Sequence, residues 1–148
     1  MTSATTPKTI RLGGCGIQRE AVAAVAITPG MLVAINGDGE AIPHATADQE
    51  TQPAFAVEYA LTGRGIDDAY AIGDNVIYEV LPQGAMVYAT LAANQTITKG
   101  EKLTSDGAGR LKTAADTSFV IAEAREDVTT TGDPGRVKCE VLTGRGIA

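Results

Sequence analysis

One sequence frame occurs twice in this chain and constrains its fold more than any other feature. The stretch ITPGMLVAINGDGE covers residues 27–40, and ITKGEKLTSDGAGR covers residues 97–110. Aligning Ile27 with Ile97 keeps the isoleucine, the following threonine and three glycines unchanged. Turn glycines at a constant spacing, with short apolar segments between them, predict a β-meander that contains an internal duplication.

The repeated glycines mark the places where the chain reverses. The structural turn glycines of the two copies are Gly30, Gly37, Gly39, Gly100, Gly107 and Gly109. The turns ITPG and ITKG end in a glycine that supplies the positive φ of a type II turn. The stretches NGDG and SDGAG predict hairpin tips of the primed type. Each copy therefore predicts a turn, a strand, a hairpin tip and a returning strand.

The segments around the frames complete an all-β prediction. Apolar strands are expected in PAFAVEYAL and SFVIAEARE, and AIGDNVIYEV and LPQGAMVYATL are expected to pair as a hairpin across Pro82–Gly84. Residues 19–27 are interpreted as a strand, and residues 67–72 as one helical turn. The predicted fold is a compact β-barrel, β-tulip-like or sandwich domain with little helix. Its domain covers residues 20–148 and follows an extended N-terminal arm, residues 1–19.

Composition indicates an unusual core. The 148 residues include 24 Ala, 11 Val and 11 Ile but only two Phe, four Tyr and no Trp. Small and β-branched side chains suit thin, closely spaced β-layers, and they bury less area per residue than aromatic ones. Burial between copies would compensate, so we expect an oligomer, although a small monomer also fits the composition.

Charge and hydropathy exclude several classes of partner. The net charge is −6 and the twelve Lys and Arg residues are scattered, which argues against binding to nucleic acid. The sequence holds no run of about eighteen apolar residues that could span a membrane. The start, MTSATTPKTIRLGGCG, lacks the apolar segment of a secretion signal. We therefore expect a protein made in a cytoplasm, without a nucleic-acid or membrane partner.

The sequence offers little catalytic or metal-binding chemistry. The single histidine, His44, is interpreted as an exposed loop residue, and one His with two distant Cys cannot form a zinc site. Cys139 alternates with polar neighbours and should face inward on a strand. An enzyme using Cys15 with His44 as its base is an alternative that the flexible GGCG setting disfavours. We expect no enzyme, no cofactor and no metal.

A second exact recurrence involves two arginines. LTGRGI occurs at residues 61–66 and again at 142–147, each time after an apolar strand. Arg64 and Arg145 are interpreted first as solvated residues at strand exits. Each could instead bond a carboxylate across a subunit contact, since a guanidinium suits such pairing.

The order of segments from residue 20 to residue 142 resembles a known family. ITPGMLV, YAIGDNV, LPQGAMVYATLA, ITKGEKLTSDGAGRLK, FVIAEARED and GRVKCEVL follow one another as in the small capsid decoration, or cement, proteins of tailed bacteriophages. The resemblance implies a structural virion protein on the capsid exterior. It also implies a homotrimer whose partner is the major capsid protein and which stabilises the expanded shell.

The N-terminal arm is the expected contact with that partner. TIRL has strand character and could add to an exposed sheet edge, whereas a frayed terminus is the plainer alternative. The expected capsid or subunit contact residues are Thr5, Thr6, Pro7, Lys8, Thr9, Ile10, Arg11 and Leu12. A small-ligand or carbohydrate binding module of β-clip type is the alternative function, although the shortage of aromatic residues disfavours sugar stacking.

Overall fold

The computed structural model describes residues 6–144, and within that range the regular secondary structure is almost entirely β. The strands are β1 Arg11–Gly13, β2 Ile17–Val22, β3 Val33–Ile35, β4 Ala41–Pro43, β5 Ala54–Ala56, β6 Asn75–Val80, β7 Met86–Leu91, β8 Thr96–Ile97, β9 Lys102–Ser105, β10 Leu111–Thr113, β11 Val120–Ala124, β12 Val128–Thr129 and β13 Gly135–Gly144. One short 3₁₀ helix, Ala60–Thr62, lies between β5 and β6. The prediction of an all-β fold with little helix is confirmed.

Two successive groups of five strands have the same topology. We call β2 to β6 the first half, and β7, β9, β10, β11 and β13 the second half. In the second half the order is β7–β10–β9–β11–β13, and β13 pairs back with β7 to close a five-stranded mixed barrel. In the first half β6 pairs with β2 and β5, and β3 pairs with β4. Single bridges, Ala23–Ala41 and Leu32–Phe55, supply its other two contacts.

The pairing sense is also the same in both halves. In the first half, β4 contacts the chain just after β2 in the parallel sense, and in the second half β10 contacts β7 in the parallel sense. All the other matched contacts are antiparallel. One contact outside the five strands of each half matches as well. Ile27 forms an antiparallel bridge with Tyr70, and the aligned Ile97 pairs antiparallel with Val128. The duplicated sequence frame therefore folds into two related half-barrels.

The first turn of each frame has nearly identical geometry. Gly30 and Gly100 have φ values of 96° and 94°. The Gly30 N–H donates to Ala56 O at 2.7 Å, and the Gly100 N–H donates to Ala124 O at 2.8 Å. Each glycine thus turns the chain and joins it to the matched strand, β5 or β11.

The hairpin tips differ from the prediction. In the first tip Gly39 has a φ of 81°, but neither Gly37 nor Asp38 lies in the positive-φ region that a type I′ turn needs. In the second tip Gly107 and Gly109 both have a positive φ, 86° and 80°. The primed-turn prediction is therefore wrong for the first tip, because a left-handed glycine at the end of a longer loop can also reverse a hairpin.

Two clusters of buried side chains form the core. The larger cluster joins the halves, since it contains Leu32, Phe55 and Ile77 from the first and Val87 and Leu103 from the second. The smaller cluster belongs to the first half alone. Its buried members are Ala23, Ile27, Val33, Ala41, Ala54, Ala56, Tyr70, Val76 and Tyr78. The alanine-rich smaller cluster agrees with the thin layers that composition predicts.

Two local predictions are wrong. β6 and β7 do not pair, because β6 lies between β2 and β5 in the first half whereas β7 pairs with β1, β10 and β13. The chain does turn at Pro82–Gly84, but it passes there from one half to the other. Residues 67–72 form turns and a bridge, and the only helical turn in the described range is the 3₁₀ helix before them.

The N-terminal segment enters the fold earlier than the predicted arm allows. Ile10 is fully buried in the larger cluster, β1 pairs with β7, and β2 pairs with β6 along its whole length. Residues 10–19 are therefore part of the folded unit. The strand interpretation of residues 19–27 is right for β2, which ends at Val22.

Candidate functional site

The expected contact residues of the arm divide into two groups in the structure. Thr6, Lys8 and Thr9 are exposed, whereas Thr5 lies outside the described residues. Ile10 is buried, and its N–H donates to Glu58 Oε1 at 3.0 Å. The strand pairing expected with a capsid protein is used here within the chain, because β1 adds to the edge of β7. The exposed residues of the predicted contact are therefore Thr6, Lys8, Thr9 and Arg11, whereas Pro7 and Leu12 are half-buried.

A groove of about 330 Å³ runs beside this segment. Thr9 and Arg11 form one wall, and Gln18 and Glu20 of β2 form another. Arg11 Nε lies 2.7 Å from Glu79 Oε1, so the guanidinium neutralises a carboxylate within the groove. Because its main charged groups already have partners, the groove resembles a structural seam more than a catalytic cleft.

His44 is buried, so its interpretation as an exposed loop residue is wrong. Only 7% of its surface is exposed, and its Nδ1 lies 2.7 Å from Ser105 Oγ at the start of the second hairpin tip. Burial lowers the pKa of the imidazole below its usual value, because the charged form loses hydration. The ring thus belongs to the contact between the halves. The sequence did not reveal this, because His44 follows a proline and lies just before a polar loop.

The two cysteines have the settings that their sequences predict. Cys139 on β13 is fully buried, and burial raises the pKa of its thiol to about 12. It therefore stays protonated and acts as a small apolar side chain. Cys15 is exposed between β1 and β2. His44 is engaged with Ser105, so the structure does not provide Cys15 with that base.

The arginines flagged by LTGRGI are not the ones most involved in packing. Arg64 lies 3.6 Å from Asp74 Oδ2 with 43% of its side chain exposed, and Arg145 lies outside the described residues. Arg136 on β13 instead has only 13% of its side chain exposed. Its guanidinium donates to Pro29 O at 2.8 Å and to Ile66 O at 2.7 Å. No sequence signal separated Arg136 from the other strand arginines, because its acceptors are distant backbone atoms.

The part of the chain that the structure describes holds neither a candidate metal cluster nor a candidate membrane-spanning helix. Residues 6–144 contain no group of three or more His, Cys, Asp or Glu side chains that could hold a metal ion. No helix in the same residues is long and apolar enough to cross a bilayer.

A solved structure shares this fold. Neither a protein-family model nor a curated protein sequence matches the chain. The fold is similar to that of the N base of head fiber gp8.5 of bacteriophage phi29, with a TM-score of 0.59 and 16% sequence identity. The match covers 88% of this chain and 98% of the phage chain. At this identity the likeness shows a common fold.

Proposed function

We propose that this chain is a structural protein of a tailed-phage virion that binds the outer surface of the capsid. The observation that carries the proposal is the fold likeness to a phage head fiber base over 98% of that base. The order of sequence segments supports the same class independently, because it resembles capsid decoration proteins. In this proposal the partner is the major capsid protein, and the chain acts as a homotrimer that stabilises the expanded shell.

The chemistry of the described residues is consistent with a non-enzymatic role. His44 is bonded to Ser105, Cys139 is a buried thiol, and Glu79 is paired with Arg11. Reactive groups with such partners contribute to packing. A capsid-binding protein needs contact area, and the exposed side chains of Thr6, Lys8 and Thr9 can supply part of it.

Composition of purified particles tests the proposal directly. Virions of the encoding phage should contain this chain at a copy number comparable to that of the major capsid protein. Cryo-electron microscopy should place it outside the shell. Absence from washed particles, or a location inside the head, would refute the proposal.

Truncation tests the N-terminal contact. We expect removal of residues 1–8 to leave the fold intact, because Ile10 and β1 remain, and to abolish binding to undecorated heads. Removal of residues 1–4 is the matched control, since it keeps the predicted contact residues from Thr5 onward. Sedimentation with heads measures binding, and circular dichroism checks the fold. Normal binding of the longer truncation would mean that the contact lies elsewhere.

The alternative of a saccharide-binding module has weaker structural support. Tyr59 is the one aromatic residue that lines the groove beside the N-terminal segment, and sugar sites commonly use aromatic faces. A single aromatic side chain offers little stacking surface, so titration calorimetry with a panel of saccharides should show no binding. Tight binding that Tyr59→Ala removes would favour the module instead.

A further inference from the structure

The second hairpin tip, residues 105–110, docks on the first half of the same chain. The Gly109 N–H donates to His44 O at 3.1 Å, and the Leu32 N–H donates to Gly109 O at 2.8 Å. The Asp48 N–H donates to Ser105 O at 3.1 Å. Ser105 is fully buried in this contact. The duplicated unit thus contains a tip and a segment that receives one, residues 44–48.

The matching first tip, residues 35–40, has no such cover from residues 6–144. No heavy atom outside the tip lies within 4 Å of a Cβ built on Gly37 or Gly39. Ile35 aligns with Ser105 in the repeated frame, yet Ile35 is 45% exposed whereas Ser105 is fully buried. The apolar side chain of Ile35 is therefore partly exposed to solvent, whereas the matching residue of the second half is buried.

Ile35 belongs to a larger exposed apolar patch at this end of the first half. Ile35 pairs with Ala41, and Ala41 bridges Ala23. The Gly73 N–H donates to Ala23 O and the Ala23 N–H donates to Asp74 O, so the residues before β6 lie beside Ala23 as well. The exposed apolar side chains around Ala23 are Val22, Val25, Ile35 and Ile72. Exposed apolar residues grouped around one position in this way are typical of protein interfaces.

We propose that this patch and the first tip bind a second copy of the chain. The receiving site on that copy is residues 114–117, which align with residues 44–47 of the first half. In the structure the Ala114 N–H donates to Lys102 O at 2.9 Å, as the His44 N–H donates to Leu32 O at 2.8 Å. The two segments share this bond and differ further along, because the Ser118 N–H, which aligns with that of Asp48, donates to Ala115 O at 3.0 Å. Residues 115–117 are exposed and available.

Charge argues against one other way of joining two copies. Lys102 and Lys112 of the receiving hairpin already pair with Glu123 and Asp48 of their own chain, so they do not select the occupant. Pairing β2 with a second β2 about a two-fold axis would instead place Arg19 against Arg19 or Glu20 against Glu20 in its central registers. Like charges directly opposite one another destabilise strand pairing.

The proposed contact joins unlike surfaces, tip to receiving segment, so it is head-to-tail. Such a contact closes into a ring if the rotation allows and otherwise propagates. It repeats between chains the contact that the second half already makes with the first half. A ring of three chains, the number in the proposed function, would place six half-barrels in sequence. The proposal itself does not depend on capsid binding.

Analytical ultracentrifugation over a concentration series tests the interface. Wild-type protein should show a mass that rises above that of one chain. Ile35→Asp, or separately Ile72→Asp, should remain monomeric at concentrations where the wild type assembles. Leu61→Asp is the matched control, because Leu61 is 92% exposed outside the patch and its substitution should leave assembly unchanged. Circular dichroism identifies any variant that fails to fold.

A mixing experiment tests the head-to-tail geometry. Ala115→Asp should block the receiving segment by adding a charge like those of the tip. Each variant alone should be monomeric, but an equimolar mixture of Ile35→Asp and Ala115→Asp should form dimers of two chains and nothing larger. The intact tip of one variant then meets the intact receiving segment of the other.

Three results would overturn the proposal. The first is a wild type that stays monomeric at all accessible concentrations. The second is assembly that survives both substitutions or is lost in Leu61→Asp. The third is assembly of normal strength in Ile35→Asp together with lost binding to heads, which would make the patch a capsid contact and leave the proposed function standing.

Discussion

At the scale of single residues, side-chain oxygens hold the two hairpin tips in the same way. Asn36 Oδ1 accepts the N–H groups of Asp38 and Glu40, each at 2.9 Å. Asp106 Oδ1 accepts the N–H groups of Ala108 and Arg110, at 2.7 and 3.1 Å. Short polar side chains bond to their own backbone readily, which explains why Asn and Asp can exchange at this position.

The two matched turn glycines provide a controlled substitution. Gly100→Ala should cost about 1–2 kcal/mol, the strain of a left-handed backbone, because a Cβ there meets no atom within 4 Å. Gly30→Ala should cost about 1–3 kcal/mol more, because its Cβ would lie 2.5 Å from Arg136 Nη1 and 3.0 Å from Tyr88 O. Urea denaturation measures both. Equal losses would show that the surroundings of Gly30 yield freely.

His44 should make stability depend on pH in a defined window. Its folded pKa is lowered by burial from a usual value of 6.5, so as pH falls the unfolded chain binds a proton before the folded chain does. The contribution of His44 to the free energy of unfolding should therefore be complete above about pH 6.5 and should be lost progressively below it. Denaturation at pH 7.5 and pH 5.5 should show the decrease.

The chain contains one histidine, so the assignment can be tested cleanly. His44→Gln should remove the decrease between pH 7.5 and 5.5. The losses due to Asp48 and Glu123, whose folded pKa values are lowered from 3.8 and 4.5, should remain at lower pH. Hydrogen bonding from Ser118 lowers the pKa of Asp48, and bonding from Lys102 lowers that of Glu123. An unchanged decrease in the variant would contradict the assignment.

At the scale of elements, β13 is the strand that connects the molecule. It pairs with β11 and with β7, and it carries Arg136 across to two loops of the first half. The Arg136 guanidinium also lies 5.7 Å from the ring centre of Tyr88. One side chain therefore satisfies two carbonyl oxygens and stacks on an aromatic ring, a combination that suits the planar fork of arginine.

Removing this connection should be costly. Arg136→Met should lower the free energy of unfolding by about 2–3 kcal/mol, because the carbonyls of Pro29 and Ile66 lose their donors. Arg64→Met is the control and should change it by less than about 0.5 kcal/mol, since that pair is exposed. Thermal and urea denaturation compare the two. A small effect at Arg136 would mean that water replaces the guanidinium.

At the scale of the whole molecule, the two half-barrels differ in how their cores are closed. The second half is a closed barrel, whereas the first half relies on two single bridges for closure. Residues of both halves share the larger cluster, and the second tip covers the first half at His44. The halves should therefore fold as one cooperative unit.

Separate expression of the halves tests this cooperativity. Residues 83–144 alone should fail to give the dispersed amide spectrum of a folded protein, because Leu32, Phe55 and Ile77 no longer cover the shared core. The full chain should unfold in a single calorimetric transition. A folded isolated half, or two transitions, would show that each barrel is independently stable.

Local features were predictable because they depend on neighbouring residues. The positive φ of Gly30 and Gly100 follows from turn chemistry, and the inward direction of Cys139 follows from strand alternation. The internal duplication was visible because turns impose their own residue types. The acceptors of Arg136 and the burial of Ser105 were not predictable, since their partners lie far away in sequence.

The sequence by itself determined where this chain turns and which segments extend, because glycine conformations and alternating side chains act over a few residues. Only the tertiary structure decided that β6 and β7 part into different halves, that Ile10 is core, and that His44 is covered while Ile35 is not. The physical reason is that two nearly equivalent units, packed side by side, place matched residues in unequal surroundings. Which of two matched residues is buried therefore depends on how the two halves pack together and not on the repeated residues themselves.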